Sequence, residues 1–170
     1  GITRELNGVP SGTIQSLSEK WVITISTQYG CSMKCKFCDV PKVGPGLNVT
    51  ENDLDNQILD ALSLHPEITS TKRLNIHYAR MGEPSFNDAV LSNSVKLHHI
   101  CYSHLGTSLI HPVVSTMLPR KNKNLYYFLK EWCNIKNKIY KGDAGLQFSI
   151  NSTDDIQRED MFSGNALSLL

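Results

Sequence analysis

Runs of β-branched and aromatic residues alternate along this chain with runs of helical periodicity, and that alternation restricts the fold more than any other feature. Residues 21–27, WVITIST, read as a buried strand. Thr50 can cap a helix whose apolar positions, Leu54, Ile58, Ala61 and Leu62, recur at helical spacing; it should run from about 51 to 64 and stop before Pro66. Residues 73–79, RLNIHYA, read as a second strand, and 88–97 as a second helix with Val90, Leu91, Val95 and Leu97 as its apolar positions. Residues 109–116 suggest a third strand, interrupted by Pro112. Leu125 to Ile135 is a third helix, with Leu125, Phe128, Leu129 and Trp132 in one stripe. Residues 145–150 are a fourth strand, after which Ser152 or Thr153 caps the acidic segment at Asp154 and Asp155. Strands alternating with helices argue for parallel βαβ units. Functional loops then belong at the strand C-terminal ends.

Four parallel strands do not close a barrel, so either the sheet stays open or the chain is truncated, and truncation is the favoured expectation. Residues 1–20, with Gly8, Pro10 and Gly12, form an irregular lead-in, and residues 21–170 form the core. With 170 residues the chain is of one-domain size. Its net charge of +1 gives no global field for drawing in nucleic acid, although a local basic patch would suffice. No stretch approaches the ~18 apolar residues of a membrane span. The N-terminus lacks the apolar core of a signal peptide, so a cytoplasmic location is expected.

Chemistry concentrates in one place. Of five cysteines, Cys31, Cys35 and Cys38 fall within eight residues in C-x3-C-x2-C spacing, directly after the first strand. An odd count clustered in this way reads poorly as a disulfide framework and well as a metal or cluster site. Three thiolates can hold three corners of an iron–sulfur cubane and leave the fourth iron open to a ligand. A structural zinc loop is the competing reading, and it needs a fourth ligand. Cys101, Cys133, His65, His77 and His98 are the available donors, and none stands at a customary spacing. Cys101 and Cys133 read as plain buried thiols, and His98, His99 and His104 as surface residues. Lysines from Lys121 to Lys141 make a basic run with Tyr126, Tyr127 and Trp132 nearby; it reads first as a solvated helix face, and second as a phosphate contact.

C-x3-C-x2-C with Phe37 just before the last cysteine resembles the signature of the radical S-adenosylmethionine (SAM) superfamily. The longer stretch from Ile25 to Cys38, ISTQYGCSMKCKFC, resembles the corresponding stretch of the RlmN/Cfr family of RNA adenosine methyltransferases, and Met81-Gly82-Glu83-Pro84-Ser85-Phe86-Asn87 resembles that family's M-G-E-P-L-x-N. Val113 to Thr116, Ser149 to Asn151 and Thr153 to Arg158 match further segments more faintly. The resemblance implies an α/β fold, the front part of a partial parallel (β/α) barrel. It implies a [4Fe–4S] cluster on Cys31, Cys35 and Cys38, and SAM bound over Phe37, Gly82, Glu83, Ser115, Ser149 and Asn151. In the family SAM chelates the fourth iron, and an electron from the cluster cleaves it to methionine and a 5′-deoxyadenosyl radical. The implied partners are a ribosomal or transfer RNA substrate and an electron donor such as a flavodoxin or ferredoxin.

The chain also departs from the family. No cysteine after Cys133 stands for the family's methyl-accepting cysteine, neither Glu5 nor Glu19 aligns with its N-terminal glutamate, and no catalytic base is assigned. RNA adenine methylation is therefore the leading expectation. Radical chemistry on another nucleobase, a metabolite or a peptide without methyl transfer is the second, and a non-catalytic iron–sulfur or zinc module the third.

Overall fold

Trp21, Ile23 and Ile25 alternate with less apolar neighbours, and this two-residue period sets the first strand on the sheet. The computed structural model describes residues 15–107 and 109–169; Glu5 and residues 1–14 of the expected lead-in lie outside them. In chain order the elements are β1 (Lys20–Ile25), β2 (Gln28–Gly30), β3 (Pro45–Asn48), α1 (Glu51–Ser63), β4 (Ser70–Thr71), β5 (Arg73–Tyr78), α2 (Ala89–Tyr102), β6 (Gly106–Thr107), β7 (Ile110–Thr116), α3 (Leu125–Lys138), β8 (Gly145–Phe148) and α4 (Asp155–Met161).

β1, β5, β7 and β8 form one parallel sheet in that spatial order. Each new strand is added at the same edge. A doubly wound sheet would reverse direction after its first strands; this one does not. Crossovers of one hand from a sheet growing one way leave the helices on a single face, and α1 packs on α2 as α2 packs on α3. Among the described residues the sheet is open, with no closed ring.

The helix-covered face is the core. Trp21, Ile23 and Ile25 of β1, Leu74, Ile76 and Tyr78 of β5, and Ile110 and Val114 of β7 meet Leu54 and Ile58 of α1, Leu97 and Cys101 of α2, and Phe128 and Trp132 of α3. Burying a large apolar side chain of this kind stabilises by about 1.5–3 kcal/mol. Trp132 places its ring in this core and donates its indole N–H to Gly145 O at 3.1 Å, which also anchors the start of β8. The other face carries Thr24, His77, His111, Ser115 and Gln147, and is more polar and more open.

Several expectations need correction. The second helix runs on to Tyr102, and Val95, taken as a core position, is 46% exposed. Its place at the seam is held by Asn93 and Ser94, both buried. Asn93 accepts from the Tyr78 hydroxyl at 2.5 Å and donates to Asp55 at 2.6 Å, and Ser94 O accepts from the Tyr140 hydroxyl at 2.5 Å, so the polar pair satisfies two buried tyrosine hydroxyls. Cys133 is exposed, because it follows Trp132 on α3 and is turned away from the buried stripe; Cys101 is buried as expected. Pro112 sits inside β7 without breaking it, since β8 pairs only from Val113 onward. β8 ends at Phe148 rather than residue 150. The last helix is capped by Asp154, which accepts from Gln157 N, and not by Ser152 or Thr153.

Candidate metal centre

The cysteine loop lies between two features that the strand ends fix. On one side it follows β1 through the short β2–β3 ribbon. On the other it is tied to the chain's last segment: Lys36 N–H donates to Met161 O at 2.9 Å, Ser163 Oγ to Lys34 O at 2.9 Å, and Asn165 Nδ2 to Met33 O at 3.0 Å. Cys31, Met33 and Cys35 bury their side chains with Phe162 and Ala166 in a second small core. The loop is therefore a packed element, although it has no regular secondary structure.

Gln28 holds its near end. The side chain is buried; its Nε2 donates to Ser32 Oγ at 3.1 Å and Asn48 Oδ1 at 2.8 Å, while its Oε1 accepts from Glu83 N–H at 3.1 Å and Ser32 N–H at 3.3 Å. One amide thus joins the ribbon, the cysteine loop and the turn after β5. Asn87 adds a second tie, donating to Thr27 O at 2.8 Å and Val49 O at 2.9 Å. Gly82 in that turn has φ +98, and a Cβ there would lie 2.6 Å from Gln28 Cβ, so only glycine lets the two segments approach.

Cys31, Cys35 and Cys38 line one cavity of about 190 Å³, together with Phe37, Gly82 and Ser149. Arg80 and Met117 also line it, with Val40, Pro41 and Ala79, and Met117 Sδ lies 3.3 Å from Cys35 Sγ. Phe37 is 54% exposed and meets Phe162 edge-on at 5.5 Å, so its ring stands at the mouth of the site. Glu83 is 0% exposed and does not itself line the cavity, although its neighbour Gly82 and its partner Met117 do. Its Oε1 accepts from Ser85 N–H at 3.1 Å, Ser85 Oγ at 2.7 Å and Thr116 Oγ1 at 2.6 Å, and its Oε2 from Met117 N–H at 2.9 Å. Oε2 has a single donor and can accept another. Burial pushes the Glu83 carboxyl up, against the pull of these donors.

Ser115 and Asn151 are placed elsewhere. Ser115 Oγ donates to Gln147 Oε1 at 2.8 Å on the open face of the sheet, and Asn151 is exposed with φ +59 in the turn after β8. Neither is among the residues that line the cavity. A larger open cleft of about 590 Å³ lies behind the loop, between Lys36 and α4, and contains no cysteine or histidine.

Two of the three thiols are biased toward their neutral form. Burial raises Cys31, and burial followed by the charges of Cys31 and Cys38 pushes Cys35 up to about 12. A bound cation reverses this order, because metal coordination removes the thiol proton outright. The donor set fits an iron–sulfur cluster better than zinc. The wall of the cavity supplies three cysteines and no further cysteine or histidine. The other candidate donors stand elsewhere: Cys101 in the main core, His65 against the Trp21 ring, His77 on the open face of the sheet, His98 against Tyr140, and Cys133 on the outside of α3, and none lines the cavity. Among the described residues no group of three or more His, Cys, Asp and Glu side chains is drawn together as a single ion would require.

Sequence reading missed two residues that build the site. Gln28 lay inside the quoted stretch, where its polar side chain in an otherwise strand-like run was the available signal. Arg158 gave none. It is buried, with its guanidinium donating to Ser149 O at 2.7 Å, Ile150 O at 2.5 Å, Leu167 O at 3.1 Å and Met117 O at 3.2 Å, and lying 4.7 Å over the Phe162 ring.

Compared with known proteins, the chain is similar to enzymes of one kind. It is 36% identical over 78 residues to the dual-specificity RNA methyltransferase RlmN of Campylobacter lari, covering 46% of this chain and 22% of that protein. It is 36% identical over 80 residues to the RlmN of Aliarcobacter butzleri, covering 47% and 22%. Against the probable RlmN of Thermosipho melanesiensis it is 40% identical over 73 residues, covering 43% and 20%. The chain thus spans about a fifth of the length of the curated relatives it matches. No family model and no solved structure matches it. No helix among the described residues is long and apolar enough to cross a membrane.

Proposed function

We propose that this chain is the cluster- and SAM-binding part of a radical SAM enzyme that methylates an adenine of RNA. The observation that carries the reading is the convergence of Cys31, Cys35, Cys38, Gly82 and Ser149 on one cavity, at the C-terminal ends of parallel strands. Similarity to RNA methyltransferases supports the substrate class. Cys31, Cys35 and Cys38 hold a [4Fe–4S] cluster, and SAM lies against Phe37, Gly82, Glu83 and Ser149 and extends out of the cavity toward Ser115 and Asn151, which stand outside its wall. When bound, the cluster supplies the electron that splits SAM to methionine and a 5′-deoxyadenosyl radical.

The chain's own residues bind and orient. Gly82 brings backbone close to the cavity without a side chain in the way. Glu83 offers the free acceptor capacity of Oε2 to an ammonium group, and its fixed donors hold it in one rotamer. Phe37 covers the mouth and Met117 the Cys35 side, which limits water at the cluster edge. The electron comes from a carrier such as a flavodoxin or ferredoxin.

Anaerobic reconstitution with iron and sulfide, followed by an assay for 5′-deoxyadenosine and methionine under reduction, tests the reading. The parent chain should take up the cluster and form both products, and Cys35→Ala should lose both. A chain that instead holds one zinc ion and forms neither product would sink it.

A further inference from the structure

Charge is distributed unevenly along this chain. Between Arg120 and Lys141 there are seven lysines and arginines and one carboxylate, Glu131, in a chain whose net charge is +1. The remainder is therefore net acidic. α3 carries most of this segment. Its buried stripe is Leu125, Phe128, Trp132 and Ile135. At 100° per residue Lys130 and Asn137 point directly away from that stripe, with Tyr126 and Tyr127 flanking them, and Lys121 and Lys123 precede the helix in the loop that leads into it. Tyr126 is 80% exposed and Tyr127 55%. The outer face is thus a strip of about 21 Å, the length of a 14-residue helix, with cations along it and two aromatic rings at its N-terminal end.

Four lysines elsewhere are held in ion pairs. Lys36 pairs with Asp160, Lys42 with Asp39, Lys72 with Glu19 and Lys96 with Glu51. Among the described residues Lys121, Lys123, Lys130, Lys138 and Lys141 enter no ion pair. Unpaired lysines repel one another, and an incoming polyanion relieves this. The strip also joins the site already described. α3 begins beyond the C-terminal end of β7, and Asn122 Nδ2 in the preceding loop donates to Ser85 O at 2.6 Å, beside Glu83.

We propose that the outer face of α3 binds single-stranded RNA, with Lys121, Lys123 and Lys130 on the phosphates and Tyr126 and Tyr127 stacked on bases, and so delivers the strand to the cavity rim. Free cations interleaved with exposed rings are the chemistry of single-strand binding. The choice of RNA rests on the function proposed above.

The test is fluorescence anisotropy of a labelled 12-nucleotide single-stranded RNA against the whole chain at several salt concentrations. Lys123→Ala/Lys130→Ala should reduce the slope of log affinity against log salt by about 1.4, at about 0.7 per phosphate contact. Tyr126→Ala/Tyr127→Ala should weaken binding about tenfold or more at every salt concentration, while Tyr126→Phe/Tyr127→Phe should keep it, since the rings remain. Circular dichroism of each variant should match the parent, because all four side chains face solvent. Lys72→Ala/Lys96→Ala, which removes ion-paired lysines, should bind as the parent does. Parental affinity and slope in the α3 variants would overturn the proposal, as would equal binding of single-stranded DNA or polyglutamate by the parent. Loss of RNA binding in the α3 variants, in a chain that forms no 5′-deoxyadenosine, would leave this surface standing and remove the radical SAM reading instead.

Discussion

Cysteine chemistry in this chain is decided by position more than by residue type. Cys35 and Cys101 are both pushed up to about 12, Cys101 by burial alone and Cys35 by burial and its two neighbours, whereas Cys133 is exposed. The thiolate is the reactive form. In the cluster-free chain iodoacetamide at pH 8 should therefore label Cys133 first and leave Cys35 and Cys101 nearly untouched, as read by peptide mass spectrometry. Labelling of Cys35 should increase with pH, because its thiol is still mostly protonated well above neutrality. Equal rates for Cys35 and Cys133 would contradict this placement. The three clustered cysteines were legible from spacing, since a loop motif needs no knowledge of the fold. The fate of Cys133 was not: it depends on which side of α3 meets the sheet, and Trp132 immediately before it decides that.

Elements with local signals were the readable ones. α1 begins with a reciprocal cap in which Thr50 Oγ1 accepts from Asp53 N–H at 3.1 Å and Asp53 accepts from Thr50 N–H at 2.8 Å. Thr50→Ala should cost about 1 kcal/mol, a fall of roughly 2–4 °C in Tm for a chain of this size, measured by thermal unfolding. An unchanged Tm would mean that packing against α2 alone holds that end. β5 and β7 were equally plain because they are the central strands of the sheet, and β1 because Trp21, Ile23 and Ile25 recur at every second position. The β2–β3 ribbon, β4 and β6 were not foreseen. They are two to four residues long, and long-range partners define them: β4 pairs with β6, and Gly30 pairs with Pro45 across a register shift. The reach of α2 to Tyr102 was missed because its seam is partly polar, with Asn93 and Ser94 where an apolar pattern expects Val95.

At the scale of the whole molecule, Arg158 joins parts that the sequence keeps far apart. Its guanidinium satisfies carbonyls after β7 and β8 and in the C-terminal segment, and its ring partner Phe162 packs on the cysteine loop. Arg158→Met keeps much of the bulk but leaves these carbonyls without a donor, which should cost on the order of 3 kcal/mol or more. Hydrogen exchange should then quicken at Lys36 N–H, whose acceptor is Met161 O, while β1 and β5 remain protected. Unchanged exchange at Lys36 would show that the loop is held without the clamp. The same connections give the loop a timetable. Cys31, Cys35 and Cys38 leave the ribosome ahead of the groups that pin residues 33–36, the Met161 carbonyl and the Ser163 and Asn165 side chains. During synthesis the thiols are thus present for more than a hundred residues of elongation before the loop can set. On the proposed function, cluster delivery falls after translation of this segment, and a nascent chain stalled ahead of α4 exposes three unprotected thiols to oxidation.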